Sequence, residues 1–237
     1  MSNNIEKVAV LGAGTMGAQI AGHLANAGIS SYLFDISQEL AEKGVGILTS
    51  LKPAPLYKPK NIGLIEACNY DQHLEKIKEV DWVLEAVAEN LEIKHKVYNN
   101  IMDFIKDTTI VSSNTSGIPL ADLTEVMPDD VKKRFLITHF FNPPRYMRLL
   151  ELVKGPNTSD DIYNSMAVFG EDVLGKGIVH AKDTPNFVGN RIGVHGGNNA
   201  VRLAIEMGLT CEAVDKLTGT IVGRPNSGVF RTTDIVG

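Results

Sequence analysis

Little in this sequence is suited to covalent stapling or to a bilayer. Cys68 and Cys211 are its only cysteines in 237 residues, which makes no disulfide framework and suits a reducing compartment. No apolar run approaches the roughly 20 residues needed to cross a membrane. Positive charge is in deficit, with 23 Lys and Arg against 28 Asp and Glu and a formal net charge of −5. That balance argues against nucleic acid or an anionic membrane as partner, while a local basic cluster can still grip a phosphate. The stretch MSNNIEKVAVLG lacks the basic-then-apolar pattern of a signal peptide, so a cytoplasmic chain is expected. His23, His73, His95, His180 and His195 show no spacing such as H-E-x-x-H, and no metal site is expected. Trp82, the one tryptophan, falls in an apolar run and is expected in the core.

What is present is alternation. KVAVLG, SSYLFD, DWVLEAV, TTIVSSN, RFLITHFF, RLLELVKG and GIVHAKD read as strands. Between them, residues 15–28, 91–106 and 159–174 read as helices, the last opening on Ser159, Asp160 and Asp161. The pattern predicts an α/β fold: a Rossmann-like, mostly parallel sheet with helices on both faces. In KDTPN, Pro185 disfavours a helical Thr184 and marks a boundary. Residues 1–184 are therefore expected to form one domain, and 185–237 the start of an all-α C-terminal domain too short to close its own core. Within it, VGNRIGVHGGNNAVRLAIEMG and TCEAVDKLTGTIVG read as helices that Gly208 and Gly223 stop. The segment DQHLEKIKEVD reads as a solvated helix face. LTSLKPAPLYKPK breaks the alternation, because Pro53, Pro55 and Pro59 forbid a long helix there. With Lys52, Lys58 and Lys60 it is either a solvated loop or a phosphate contact.

The first strand runs into Gly12, Gly14 and Gly17 in G-x-G-x-x-G spacing and then into an amphipathic helix. In that context the glycines mean a tight turn, close approach to a pyrophosphate and close packing of helix on strand. Asp35 closes the second strand, where a carboxylate accepts from the adenosine ribose hydroxyls and repels a 2′-phosphate. No arginine follows it, so NAD is favoured over NADP. Ligands of such sheets bind beyond the carboxyl ends of the strands, which brings Glu89, Asn90, Lys94, Asn114 and Ser116 near the nucleotide. Two bland readings stand beside this: Lys94 as a solvated helix lysine, and Ser116 as a capping hydroxyl. His139 sits in one apolar run and Glu151 in the next, twelve residues on. Each is costly to bury unless they meet, and a His–Glu pair beside nicotinamide suits proton transfer coupled to hydride transfer.

GAGTMG, EAVAENLEIK, SSNTSG, THFFNPP, LLELV and KDTPNFVGNR follow one another in that order. In this combination the chain resembles the L-3-hydroxyacyl-CoA dehydrogenases of fatty-acid β-oxidation over nearly its whole length. The resemblance implies NAD-dependent interconversion of (S)-3-hydroxyacyl-CoA and 3-oxoacyl-CoA. It casts His139 as general base oriented by Glu151, Ser116 as the binder of the substrate 3-oxygen, and Asn190 as a positioning group. Gly12, Gly14, Thr15, Met16 and Gly17 would hold the cofactor's phosphates and Asp35 its adenosine end. Glu89, Lys94, Ser116 and Asn142 would line the nicotinamide end, and Lys52 and Lys58 the path of coenzyme A. It further implies a homodimer through the helical domain, and LKPAPLYKPK resembles the longer multifunctional members in which a hydratase-like domain follows. Three departures stand out. Asn186 replaces a usual glycine, tolerably, since Asn accepts a left-handed backbone. Arg145 and Tyr146 stand where smaller apolar residues are common, which implies a different acyl pocket. The helical part is shorter than the family's. Two other readings stay open: a dehydrogenase of a free hydroxy acid, and a catalytically silent NAD-binding or assembly module.

Overall fold

Strands rich in Val, Ile and Leu can be buried on both faces, and those at the centre of this sheet are. The computed structural model describes residues 5–223 and 226–236 and divides into two compact units, Met1–Phe187 and Val188–Gly237. In the first, β1 (Lys7–Leu11), β2 (Ser30–Asp35), β3 (Ile65–Asn69), β4 (Trp82–Glu85), β5 (Ile110–Ser113), β6 (Phe135–Phe140), β7 (Leu149–Lys154) and β8 (Gly177–Ala181) form one sheet. Their order is β3-β2-β1-β4-β5-β6-β7-β8, and every neighbouring pair is parallel except β6 with β7. The connections carry α1 (Thr15–Asn26), α2 (Gln38–Ile47), α3 (Tyr70–His73), α4 (Leu91–Ile101), α5 (Leu120–Thr124), α6 (Asp129–Lys132) and α7 (Asp160–Asp172).

Side-chain alternation along the strands splits the core between the two faces. Val8, Val10, Leu33, Trp82 and Leu84 pack with Ile20 and Leu24 of α1 and with Met166 and Phe169 of α7. Ala9, Leu11, Phe34, Val83 and Val111 pack with Val97, Tyr98 and Ile101 of α4. Trp82 is fully buried, and its indole N–H donates to the Ser112 hydroxyl at 2.9 Å. The result is the Rossmann-like sheet expected from the alternation, with one addition and one correction. β3 escaped the sequence pattern because it is a five-residue edge strand with Glu66 facing solvent. The stretch around DQHLEKIKEVD forms only the short α3 and a 3-10 turn over Leu74–Glu79, whose Ile77 is fully buried.

The second unit holds α8 (Gly189–Glu206), α9 (Cys211–Thr218) and α10 (Gly228–Val236). Gly208 takes a left-handed backbone, φ +64°, just past the end of α8, as expected. Gly223 is also left-handed, φ +73°, but it closes a 3-10 turn over Thr220–Val222, because the α-helix expected to run to it ends at Thr218. The Thr210 side chain caps α9 by accepting the Ala213 N–H at 3.3 Å. Helix α10 lies beyond the helices that the sequence pattern marks.

Helix α1 carries a buried titratable group. His23 Nε2 lies 3.1 Å from the Leu174 carbonyl, and its Nδ1 is buried with no hydrogen-bond partner among the described residues. Burial, reinforced by the Lys176 ammonium, pushes the imidazole from 6.5 down to about 4. Between those values the unfolded chain takes up a proton that the native state refuses. Native stability should therefore fall as pH drops from about 6.5 to about 4, by roughly 3 kcal/mol in full. Urea titrations across that range should show the slope in the wild type and lose it in His23→Gln; a slope that persists would assign the acid sensitivity elsewhere.

Candidate active site

The glycine turn joins β1 to α1 with no room to spare on one side and open space on the other. Gly12 sits at φ +100° and donates its N–H to the Phe34 carbonyl at 2.8 Å. A Cβ on Gly12 would meet the Ala86 carbonyl oxygen at 2.7 Å, and one on Gly17 would overlap the Gly12 carbonyl. A Cβ on Gly14 would meet nothing within 4 Å. Gly14 and Thr15 are exposed, Met16 is half-buried, and no side chain caps the first turn of α1. Those free N–H groups and the helix dipole fit a diphosphate. Asp35 stands beside the turn, Oδ2 accepting the Ala13 N–H at 2.8 Å and Oδ1 the Ile36 N–H at 2.7 Å. Each oxygen keeps a lone pair for a ribose hydroxyl.

At the same edge of the sheet, three strands from β1 and so roughly 14 Å away, β6 and β7 meet in antiparallel register with His139 opposite Glu151. Directly opposed residues share a face, and His139 Nδ1 lies 2.7 Å from Glu151 Oε2. Both side chains are buried. With Nδ1–H donated to Glu151, Nε2 is an acceptor, and the Ser116 hydroxyl reaches it at 3.3 Å. The ring sits between Phe141 and Phe187, with centroids at 4.5 and 5.6 Å.

A chain of polar groups, buried at Glu85, Lys94 and Thr115 and partly open to solvent at Glu89, holds Ser116 in turn. Glu89 accepts the Ser116 N–H at 2.8 Å and the Thr115 hydroxyl at 2.5 Å. Burial opposes the Glu89 carboxylate, yet the Thr115 hydroxyl, the Lys94 ammonium and the Ser116 amide outweigh it and hold its pKa below the usual value. Lys94 is 1% exposed, so the solvated reading fails: its ammonium lies 2.7 Å from Glu85 Oε1 and 3.2 Å from Glu89 Oε2. The segment after β4 turns Lys94 inward because Glu85, at the end of that strand, is fully buried and needs donors. It receives three more, from Tyr98 at 2.9 Å, Ser113 at 2.6 Å and the Val87 N–H at 2.8 Å.

Other expected residues fall as follows. The Gln19 side chain of α1 donates to Asn142 Oδ1 at 3.0 Å, tying the nucleotide helix to the turn after β6. Asn114 accepts the Phe140 N–H at 2.8 Å, and Asn90 caps α4 by accepting the Ile93 N–H at 3.0 Å. Lys52 and Lys58 are exposed on the proline-rich loop. Asn190 lies near the start of α8 in the second unit. Arg145 and Tyr146 engage the carbonyls of Ala54 and Leu56 on the proline-rich loop, where the resemblance had implied a change in the acyl pocket. Asn186 has φ +63°, and Phe187 follows at φ +44°. Two consecutive left-handed non-glycine residues are a strained arrangement; here it seats the buried Phe187 ring against His139. Sequence reasoning passed over Phe187, Phe141 and Glu85. Only Glu85 had left a signal, as a carboxylate ending an apolar run.

Residues 7–184 match the family described as 3-hydroxyacyl-CoA dehydrogenase, NAD binding domain. The chain belongs to this family. NAD is accordingly the cofactor that the glycine turn and Asp35 fit. A protein of Bacillus subtilis named "Probable 3-hydroxyacyl-CoA dehydrogenase" is 44% identical over 258 residues, covering 100% of this chain and 33% of its own length. A protein of the same name from Deinococcus radiodurans is 44% identical over 240 residues, covering 98% of this chain and 69% of its own. The crystal structure of (S)-3-hydroxybutyryl-CoA dehydrogenase from Ralstonia eutropha superposes with a TM-score of 0.80 at 31% identity, over 94% of this chain and 79% of that one. The chain thus spans a third of the Bacillus relative and about two thirds of the Deinococcus one.

In this member of the 3-hydroxyacyl-CoA dehydrogenase family, the Lys94–Glu85 pair is the buried contact on which the neighbouring site groups rest. Removing one partner of such a pair strands the other, so Lys94→Met should lower unfolding free energy by about 3 kcal/mol or more. The double variant Glu85→Gln/Lys94→Met should recover part of that loss in urea denaturation. A single variant as stable as the wild type would contradict the role given to the pair.

Proposed function

We propose that this chain is the dehydrogenase part of an NAD-dependent enzyme that interconverts (S)-3-hydroxyacyl-CoA and 3-oxoacyl-CoA in fatty-acid β-oxidation. One observation carries the reading: His139 binds Glu151 through Nδ1 at 2.7 Å and turns Nε2 toward Ser116 at 3.3 Å, on the sheet edge that also bears the glycine turn. Family membership and the Ralstonia structure support the substrate class.

The nicotinamide supplies the hydride acceptor or donor when bound. His139 Nε2 takes the proton of the substrate 3-hydroxyl as the C3–H bond gives up its hydride and the carbonyl forms; in the reverse direction it returns that proton. Glu151 accepts the Nδ1–H throughout, fixing the tautomer and offsetting the imidazolium charge once Nε2 is protonated. The Ser116 hydroxyl binds the 3-oxygen, and Glu89, through the Ser116 and Thr115 contacts, sets where that hydroxyl lies. Phe141 and Phe187 wall the imidazole with apolar surface, which strengthens its polar contacts by lowering the local dielectric.

His139→Gln should lower NADH oxidation with acetoacetyl-CoA by about a thousandfold while NADH affinity, read by fluorescence, stays near that of the wild type. Turnover that survives the change would remove His139 as the base. Free acetoacetate should not be reduced; equal rates with it and the thioester would point to a free hydroxy acid as substrate.

A further inference from the structure

The proline-rich loop is held in place by groups outside itself. Pro53, Pro55 and Pro59 lack N–H donors, so the carbonyls around them find few partners within the loop. Arg145 Nη1 donates to the Ala54 carbonyl at 2.5 Å and the Leu56 carbonyl at 2.8 Å. Between these two, the Pro55 carbonyl accepts from the Asn26 side chain at 2.8 Å, and Asn26 Oδ1 accepts the Tyr57 N–H at 2.7 Å. The Tyr146 hydroxyl adds a second donor to Ala54 at 3.1 Å. The Arg145 guanidinium lies 4.4 Å from the Tyr57 ring centroid and 5.0 Å from that of Tyr146. Both rings are largely open to solvent, 58% and 47% exposed, so the stack adds little to the core. The turn bearing Arg145 is itself anchored, because the buried Lys176 ammonium donates to the Pro144 and Met147 carbonyls beneath it.

We infer that Arg145, stacked with Tyr57 and Tyr146, is a clamp that fixes the 51–58 loop against the turn after β6 and so presets Lys52 and Lys58 for the phosphates of coenzyme A. The inference rests on the acyl-CoA reading above. Arg145 is a positioning residue, since its donated hydrogen bonds go to the loop and it acts on the ligand through the loop. A loop ordered in advance spares the ligand the entropic cost of ordering it.

The test is coenzyme A binding by isothermal titration, with NADH binding as the reference. Arg145→Ala should weaken coenzyme A about tenfold and leave NADH affinity within about twofold. Arg145→Lys keeps the charge but not the planar face that stacks on Tyr57 and Tyr146, and should behave like the alanine variant. Tyr57→Ala attacks the clamp from the loop side and should match it, and the double variant should be no weaker than either single one. Unchanged coenzyme A affinity in Arg145→Ala, or full affinity in Arg145→Lys, would overturn the clamp, as would a wild type that does not bind coenzyme A. A wild type that binds coenzyme A in an Arg145-dependent way yet fails to reduce acetoacetyl-CoA would sink the dehydrogenase reading and leave the clamp standing.

Discussion

The reversal of chain direction between β6 and β7 is the constraint from which the His139–Glu151 contact follows. Antiparallel pairing sets His139 directly across from Glu151, and two residues along it sets Ile137 across from Val153 on the same face. Ile137 and Val153 belong to one core cluster, while Leu136, Phe140, Leu150 and Leu152 belong to the other. A slip of one residue would exchange the faces and separate the imidazole from its carboxylate. The apolar packing of both faces thus enforces a polar contact at 2.7 Å. The contact in turn makes it tolerable to bury two groups that would each be expensive alone.

The same logic runs along the edge from strand to strand. Glu85 ends β4, Ser113 ends β5, and His139 stands one residue from the end of β6. Because these strands are parallel, their ends fall together, and each buried charge can draw its partners from a neighbouring strand or the segment that follows one. Lys94 joins Glu85 to Glu89, Glu89 holds the backbone of Ser116, and the Ser116 hydroxyl meets His139. At its buried end, where Glu85 and Lys94 are out of water, such a network is rigid when every member is satisfied and costly when one is not. Four donors converge on Glu85 alone. His139 is thus placed by its strand, and Ser116, just past the end of β5, by the Glu89 carboxylate.

Much of this was legible because the local signals agreed with the global arrangement. Gly12, Gly14 and Gly17 carried their meaning in their spacing, and His139 and Glu151 were conspicuous as polar groups inside apolar runs. The antiparallel pairing of β6 and β7 went unread, although the eight residues 141–148 between them are too few for a parallel crossover. What stayed hidden depended on neighbours remote in sequence. β3 is short and lies at the sheet edge, where burial on one side demands less apolar character than a central strand needs. Lys94 has the spacing of any solvated helix lysine; only the buried carboxylate of Glu85, nine residues before it, turns it inward. Phe187 seats against His139 through two left-handed residues, a conformation the sequence admits at Asn186 but gives no reason to expect at Phe187.

Arg145 illustrates the limit most clearly. Its sequence context marks it as a departure, but the groups that explain it lie 89 and 91 residues away. The prolines of the loop had been informative only as helix breakers. Their second effect is to leave carbonyls without local donors, and that creates a demand for a donor from elsewhere in the chain. A lysine at position 145 could donate to both carbonyls, as Lys176 does to two others, but it has no flat face to set against the two tyrosine rings, which the guanidinium supplies. The arginine and the prolines are thus two halves of one arrangement, and neither has a physical reason for its identity without the other.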